Sequence, residues 1–563
     1  MSADFPVALI LIAGGLLLPL LPGRLRAAAL LLLPVAAFAW LIALPHGEHA
    51  RIEWLGQTLV LVRVDRLSLL FGYAFLIAAF LNAIFSLHVK DAAQHSAGLV
   101  YAGSALGAVF AGDLLTLFIY WELTAVSSVL LIWATRTERA YRAGMRYVIV
   151  QLASGMLLIA GTLLHLMQGG SLHFGQFRLD GAGSWLIFAG FGIKCSFPLL
   201  HNWLQDAYPE ATATGMVVLS AFTTKLGIYA LARGFAGAEI LVWIGTVMTL
   251  FPIFYAVIEN DLRRVLAYSV TNQLGFMVVG IGIGTELAVN GAVAHAFADI
   301  LFKALLLMSM GAVLLRAGTV KGSELGGLYK SMPWTAGFCI VGAASISAFP
   351  LFSAFVTKSM IMAAVAVEGH AFIWLLLLFA SAGVLEHAGI KIPYFAFFAH
   401  DSGIRCQEAP PNMLAAMALA SLLCVGIGVF PAALYAVLPY PVDYVPYTAA
   451  HVLTQTQLLV FAVLGVFYLM RSGIYPPELN SVNLDFDWIY RRLGRDLAWT
   501  SAATVSRWLA GTGRAAESAA GGVITALRRH HGPDGALART PPTGSMALWV
   551  MVLLLAYLLF YYL

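Results

Sequence analysis

The sequence predicts an all-α polytopic membrane protein of about 16 transmembrane helices, and three observations lead there. Of its 563 residues, 61% are hydrophobic and 11% charged, and the mean hydropathy is +0.85, far from the balance of a water-soluble domain. Apolar runs of about 20 residues, the helical length that crosses a bilayer core, recur along nearly the whole chain. The basic residues are sorted between alternate loops rather than spread evenly. The excess of 32 Lys and Arg over 28 Asp and Glu is too small to argue for a nucleic-acid partner.

Taken in order, spans are predicted near 6–22, 26–44, 66–88, 97–111, 113–134, 144–167, 184–203, 209–233, 238–259, 264–284, 288–315, 335–366, 371–399, 412–431, 453–470 and 546–563. The first follows "MSADF" without a basic leader or a small-residue cleavage site, so it reads as a retained span. The stretch "RIEWLGQTLVLVRVD" (51–65) alternates polar and apolar residues and is rich in β-branched ones, which predicts a short periplasmic hairpin between spans two and three. Pro198 lies four residues after Lys194 in span 7, and Pro350 lies eight before Lys358 in span 12. A proline opens a helix, which a membrane tolerates where the break is buried or wetted. Interrupted spans five apart predict two inverted five-helix repeats, spans 4–8 and 9–13, with helices 7 and 12 broken.

The predicted divisions are 1–96 (spans 1–3 and the hairpin), 97–235 and 236–400 (the two repeats), 401–475 (spans 14–15), 476–545 (a surface segment) and 546–563 (the last span). In the surface segment Ile489, Leu493, Leu497 and Trp508 share one stripe, with Trp488 and Trp499 on its flank. That pattern predicts an amphipathic helix along the cytoplasmic surface. The run "RRHHGPDGALARTPPTGS" reads instead as a linker.

Loops between spans 1–2, 3–4, 5–6, 9–10, 11–12, 13–14 and 15–16 hold 22 of the 32 Lys and Arg, and the opposite side holds five. The positive-inside rule therefore puts both termini on the periplasmic side of a bacterial-type cytoplasmic (inner) membrane. The remaining five, Lys194, Lys225, Lys303, Lys358 and Lys391, fall inside or at the edge of spans.

Those buried charges are the functional signal. An ionisable group at the centre of a span costs roughly 2.5–3.5 kcal/mol even on the lenient insertion scale. Glu122 lies in "LFIYWELTAVSSVLLIW", Lys194 in "FAGFGIKCSFPLLHNWL", Lys225 in "LSAFTTKLGIYAL" and Lys358 in "FPLFSAFVTKSMIMAAV". In "HAFADILFKALLL", His295, Asp299 and Lys303 follow an i, i+4, i+8 spacing, which places them along one helix face over about 12 Å of rise. Three titratable groups in a row make a poor fixed pair and a good relay. Lys225 alone also fits an ion pair that merely joins two helices. Glu386, His387 and Lys391 are accessory candidates, equally compatible with an interfacial position at the end of span 13.

Cys195, Cys339, Cys406 and Cys424 have no CxxC spacing, so neither an iron–sulfur or zinc site nor a disulfide framework is expected. Neither GxGxxG after a strand nor GxxxxGK[ST] occurs, and no cofactor is expected.

"WELTAVSSVLLIW", "KCSFPLLHNWLQDAYPEATATG", "NDLRRVLAYSVTNQLGFM" and "HAFADILFKALLL" together resemble the signature stretches of the antiporter-like subunits of respiratory complex I and of the D-type subunit of Mrp cation/proton antiporters, over roughly 65–400. The "DAYPEA" run resembles the Mrp branch. The tail is more similar to that of the largest complex I antiporter-like subunit. The resemblance implies a proton path along the membrane midplane: Glu122 paired with Lys194, then Lys225, His295, Asp299 and Lys303 on a hydrated axis, and Lys358 at the far end beside a half-channel. Opening such a pair leaves a desolvated ammonium that gives up its proton more readily. This chain departs from the pattern at Leu219 and Ser220, where the largest complex I homologue has a histidine, at Gln205 in place of proline, at Gly155 in place of aspartate, and at Asp299 in place of a second histidine.

The resulting expectation is a proton-conducting subunit of a larger membrane complex, working in Mrp-type exchange of Na⁺ or K⁺ for protons beside other membrane subunits. Alternatives are the pumping arm of a complex I-like or hydrogenase oxidoreductase, a proton-coupled partner in inorganic-carbon uptake, and a structural anchor.

Overall fold

The computed structural model describes residues 5–54, 56–480, 483, 485–539 and 541–563. Its helices are α1 (Ala8–Leu17), α2 (Gly23–Ala43), α3 (Arg66–Ser86), α4 (Ala92–Phe110), α5 (Leu114–Trp133), α6 (Glu138–Met167), α7 (Ala182–Lys194), α8 (Asn202–Ala207), α9 (Gly215–Gly234), α10 (Ile240–Ile258) and α11 (Leu262–Ile283). There follow α12 (Glu286–Ala317), α13 (Pro333–Ile346), α14 (Ser353–Val367), α15 (Ala371–Val384), α16 (Lys391–Pro393), α17 (Pro411–Val429), α18 (Ala432–Tyr435), α19 (Ala449–Arg471), α20 (Arg495–His531) and α21 (Thr543–Tyr562). Among the described residues, 12 helices are long and apolar enough to cross a membrane, and Ala8–Leu20, Pro333–Ile346 and Ser353–Val367 are shorter apolar helices. The chain is a multi-pass helical membrane protein. The alternating stretch after α2 pairs as an antiparallel hairpin of β1 (Gly47–Trp54) and β2 (Gln57–Val64).

Helix starts follow from side chains that replace missing backbone partners. Asp65, Asp113 and Asp261 accept from the first-turn amides of α3, α5 and α11, each binding an orphan N–H that lipid cannot solvate. Asp113 also accepts from the Val60 amide at 2.8 Å, fixing the hairpin to α5. Asp65 accepts from Arg233 at 2.8 Å, joining the start of α3 to the end of α9.

Two membrane segments are broken. Between α7 and α8, Ser196 and Leu199 adopt φ of 65° and 71°; between α13 and α14, Ala348 and Leu351 adopt 56° and 75°. Both breaks read Phe-Pro-Leu, at 197–199 and 349–351, and a proline that cannot donate to the preceding turn ends each first half. Isolated bridges join Asp113 to His173 and Asp261 to Lys321, tying α5 and α11 to the loops ahead of the two broken segments.

The most apolar windows of α9, α11 and α12 are 94%, 94% and 89% buried, which places these helices inside the bundle rather than against lipid. Glycines let neighbours approach closely: a Cβ at Gly245 would lie 2.6 Å from the Val279 amide, and one at Gly275 would lie 2.6 Å from the Thr249 amide, so α10 and α11 pack backbone to backbone. Beyond α15 the chain makes π-helical turns at Leu385–Ile390 and Tyr394–Phe398.

The chain forms two compact units, Met1–Asp485 and Phe486–Leu563. In the second, α20 runs unbroken for 37 residues to His531 and takes in the "RRHH" expected to begin a linker. Four basic residues in its last turn complement the negative end of the helix dipole, which explains the extension.

Burial alone would raise the Asp65 carboxyl, but its hydrogen bond and charge contact with Arg233 hold it below its ordinary value. A depressed carboxylate contributes stability that is full above its unfolded value and lost as pH falls through the folded one. Asp65→Asn should therefore unfold at lower temperature than the wild type at neutral pH. The difference should shrink only below about pH 4, as read by thermal unfolding in detergent across a pH series.

Candidate functional site

In the first half, Lys194 ends α7 at the edge of the break. Its buried Nζ donates to the Trp121 carbonyl at 2.9 Å and to the Thr124 hydroxyl at 2.6 Å, and lies 4.7 Å from the Trp121 ring centre. Glu122 of α5 is close enough to feel this charge but is not in contact with it, since neither carboxylate oxygen comes within 4.0 Å of the ammonium. The expected Glu122–Lys194 contact is thus open, and two local reasons account for it. Thr124 and the Trp121 carbonyl occupy the ammonium, while the carboxylate leans toward α6. There a Cβ on Gly155 would collide with Glu122 Oε1. The missing side chain at Gly155 is the space the Glu122 carboxylate fills.

At the centre, Lys225 of α9 pairs with Asp299 of α12 at 2.6 Å, both side chains being 0% exposed. Lys225 also donates to the Ser220 carbonyl at 3.1 Å. The ladder on α12 does not behave as a single face. His295 lies 2.9 Å from Gln273 Oε1 of α11 through Nε2 and 3.0 Å from the Thr357 hydroxyl of α14 through Nδ1. Asp299 turns to α9, and Lys303 donates to Ser269 of α11 at 2.8 Å. His295 and Lys303, about two turns apart on α12, thus both reach α11, while Asp299 between them reaches α9. Gln273 in turn donates to Asn272 at 2.8 Å, which extends the polar chain behind His295.

At the far end, Lys358 of α14 is 3% exposed. Its Nζ lies 4.9 Å from the Phe276 ring centre and has no hydrogen-bond partner among the described residues. Beside it a cavity of about 360 Å³ is lined in part by Ser359, Ser381, Tyr444, His451 and Gln455.

Of the accessory candidates, His387 and Lys391 are buried and Glu386 is half-buried. Glu386 accepts from the Tyr475 hydroxyl at 2.6 Å, and His387 donates Nδ1–H to the Gly383 carbonyl at 2.6 Å; both lie on the first π turn after α15. Lys391 donates to the carbonyls of Ala256, Val257 and Glu259 at 3.2, 2.6 and 2.7 Å and pairs with Glu478 at 2.9 Å. It caps the negative end of α10 and is held from too many sides to exchange partners.

Thr124, Ser269, Gln273, Thr357 and Phe276 were not legible as site residues, because hydroxyls, amides and rings are common in spans and carry no charge signal. Their positions one turn from a buried ionisable group on a facing helix were the available clue.

Removing one member of a buried ion pair strands the other and costs about 3–5 kcal/mol, whereas replacing both is far milder. Asp299→Leu and Lys225→Met should each lower stability in detergent by that order, and the double variant by clearly less than the sum. A double-mutant cycle measures this.

Residues 111–383 match the family described as NADH:quinone oxidoreductase/Mrp antiporter, TM. Hydrogenase-4 component B of Escherichia coli (strain K12) is 28% identical over 407 residues, covering 62% of this chain and 61% of that protein. The D-type subunit of the Na(+)/H(+) antiporter of Alkalihalophilus pseudofirmus is 30% identical over 285 residues, covering 47% of this chain and 58% of that one. The matched part thus spans about three fifths of either relative. Among solved structures, a chain of the archaeal membrane-bound sulfane sulfur reductase superposes with a TM-score of 0.70 at 19% identity, covering 99% of this chain and 100% of its own. A chain of the Mrp complex from Dietzia sp. DQ12-45-1b gives 0.69 at 19%, covering 81% and 99%. Over residues 111–383 the chain is thus similar to the antiporter-like membrane subunits of Mrp cation/proton antiporters and NADH:quinone oxidoreductases, and its fold is that of the Mrp subunit.

Proposed function

We propose that the chain conducts protons within a multisubunit membrane complex, in Mrp-type exchange of Na⁺ or K⁺ for protons, along the row Glu122, Lys194, Lys225, Asp299, Lys303, His295 and Lys358. The observation that carries this reading is that four buried ammonium groups have graded partners: neutral oxygens at Lys194 and Lys303, a carboxylate at Lys225, a ring at Lys358. A proton leaving one group changes the field at the next, because little water screens them. Coupled groups of this kind titrate as a set rather than singly. Polar bridges such as Gln273, Ser269 and Thr357 supply the hydrogen-bonded links between helices. The cavity beside Lys358 is the half-channel at that end. Sorting of Lys and Arg between loops supports a bacterial inner membrane with both termini periplasmic.

A second reading, the proton-moving arm of a hydrogenase-type or complex I-like oxidoreductase, is favoured by the longer match to hydrogenase-4 component B, 407 residues against 285 for the antiporter subunit. Electron transfer would then belong to partner subunits.

In proteoliposomes holding the native complex, Lys194→Ala, Lys303→Ala and Lys358→Ala should each cut proton flux by about tenfold or more, with assembly intact. Wild-type flux in all three would overturn the pathway. Dependence of that flux on Na⁺ or K⁺ supports exchange, and dependence on an electron donor supports the second reading.

A further inference from the structure

Away from the charged row, the bundle has two neighbouring spaces with some polar lining at the end that carries Arg26 and Lys90. The outer one, about 340 Å³, is lined in part by Arg26, Val89, Lys90 and His95. The inner one, about 30 Å³, lies among α3, α4 and α9, with Asn82, Ser86, Gln94, His95 and Thr214 as its polar lining and Phe222 at its inner end. Leu30 and His95 line both.

Asn82 calls for an occupant. It is 6% exposed, yet neither its side-chain oxygen nor its nitrogen has a hydrogen-bond partner among the described residues, and an amide buried in that state is costly. A space of this size holds a water, provided that two to four polar groups receive it. The two Asn82 atoms and the lone pairs of Ser86, whose own proton goes to the Asn82 carbonyl at 2.8 Å, meet that requirement. His95 donates Nε2–H to the Val89 carbonyl at 2.9 Å, so Nδ1 is the ring atom able to take up a proton. Gln94 donates to Thr214 at 2.5 Å, joining α4 to the start of α9.

The surrounding charges decide what could pass. Arg26 and Lys90 line the outer space. Asp91, the carboxylate beside His95, is paired with Arg136 at 2.8 Å. The inner space has neutral oxygens and no carboxylate among its described lining residues. A metal cation would have to pass two like charges and find no counter-charge, whereas a proton can move through water and imidazole. At the inner end, Phe222 is fully buried against Phe75 and Tyr101, ring centres 5.2 and 5.1 Å apart. It precedes Lys225 by three residues on α9, and the Lys225 ammonium reaches back toward that end of the helix, to Ser220.

We propose that these spaces are a proton inlet: a water held by Asn82 and a proton taken up at His95 feed the Lys225–Asp299 pair past the Phe222 ring, and Na⁺ and K⁺ do not use the route. This rests on the proton pathway above. In proteoliposomes of the native complex, Asn82→Leu should fill the water site and lower proton flux about tenfold, with Asn82→Ser retaining more. If Asn82→Leu fluxes as wild type while Lys225→Ala does not, the inlet is wrong and the pathway stands; wild-type flux in Lys225→Ala would instead remove the pathway. A second measurement needs only folded protein. With the four native cysteines replaced by alanine, His95→Cys should react with a small water-borne methanethiosulfonate, read as mass added to the protein, at a rate that Na⁺ and K⁺ leave unchanged. An unreactive thiol, or one protected by added Na⁺ or K⁺, would overturn the proposal.

Discussion

The desolvation of charge governs this molecule. An ammonium in hydrocarbon is costly unless acceptors, a counter-charge or a wettable cavity lie around it, and Lys225–Asp299, sealed from solvent at 2.6 Å, is the pair at the centre of the bundle. Meeting that requirement shapes the architecture around it. The helices that bear the central groups and their partners, α9, α11 and α12, are surrounded by other helices. The close approach of α10 and α11 through Gly245 and Gly275 leaves little unfilled space behind the polar residues they bring inward.

How tightly each group is held separates structural charges from exchangeable ones. Lys391 has three carbonyls and a carboxylate and closes the end of α10. Among the described residues, Lys303 has a single hydroxyl, and Lys358 only an aromatic face. A weakly held ammonium can turn to water or to a neighbour at small cost, and a fully bonded one cannot. Glu386 is anchored through one oxygen to Tyr475, whereas Glu122 has no hydrogen bond to Oε1 among the described residues where it meets Gly155.

The fold was legible in the sequence to the extent that hydropathy dictates it: long apolar runs became helices, the alternating stretch became a hairpin, and Pro198 and Pro350 marked real interruptions. The charged site residues were legible because each breaks an apolar run. Their partners were not. The spacing of His295, Asp299 and Lys303 fixes only their relation along one helix, whereas Asp299 reaches Lys225 across the interior, and that crossing depends on tertiary packing. Glu122–Lys194 fell short for a related reason: resemblance supplied the pair, but Thr124, Trp121 and Gly155 settled its geometry locally. The extension of α20 through "RRHH" shows end electrostatics overriding a compositional reading.

The two breaks share a Phe-Pro-Leu sequence and a pair of left-handed residues three apart, yet they present their lysines to unlike surroundings. Lys194 occupies the last turn of α7, where unpaired carbonyls give the helix its negative end. Lys358 comes after the break, in the second turn of α14. One ammonium therefore faces neutral acceptors and a favourable dipole, while the other faces a ring and a cavity lined in part by polar groups. Under the proposed function this asymmetry has a consequence: a row with unlike ends favours one resting distribution of protons before any membrane potential is applied. Local similarity of the breaks thus coexists with electrostatic inequality, because the backbone turn is set by Phe-Pro-Leu, whereas the field depends on which side of the turn the lysine stands.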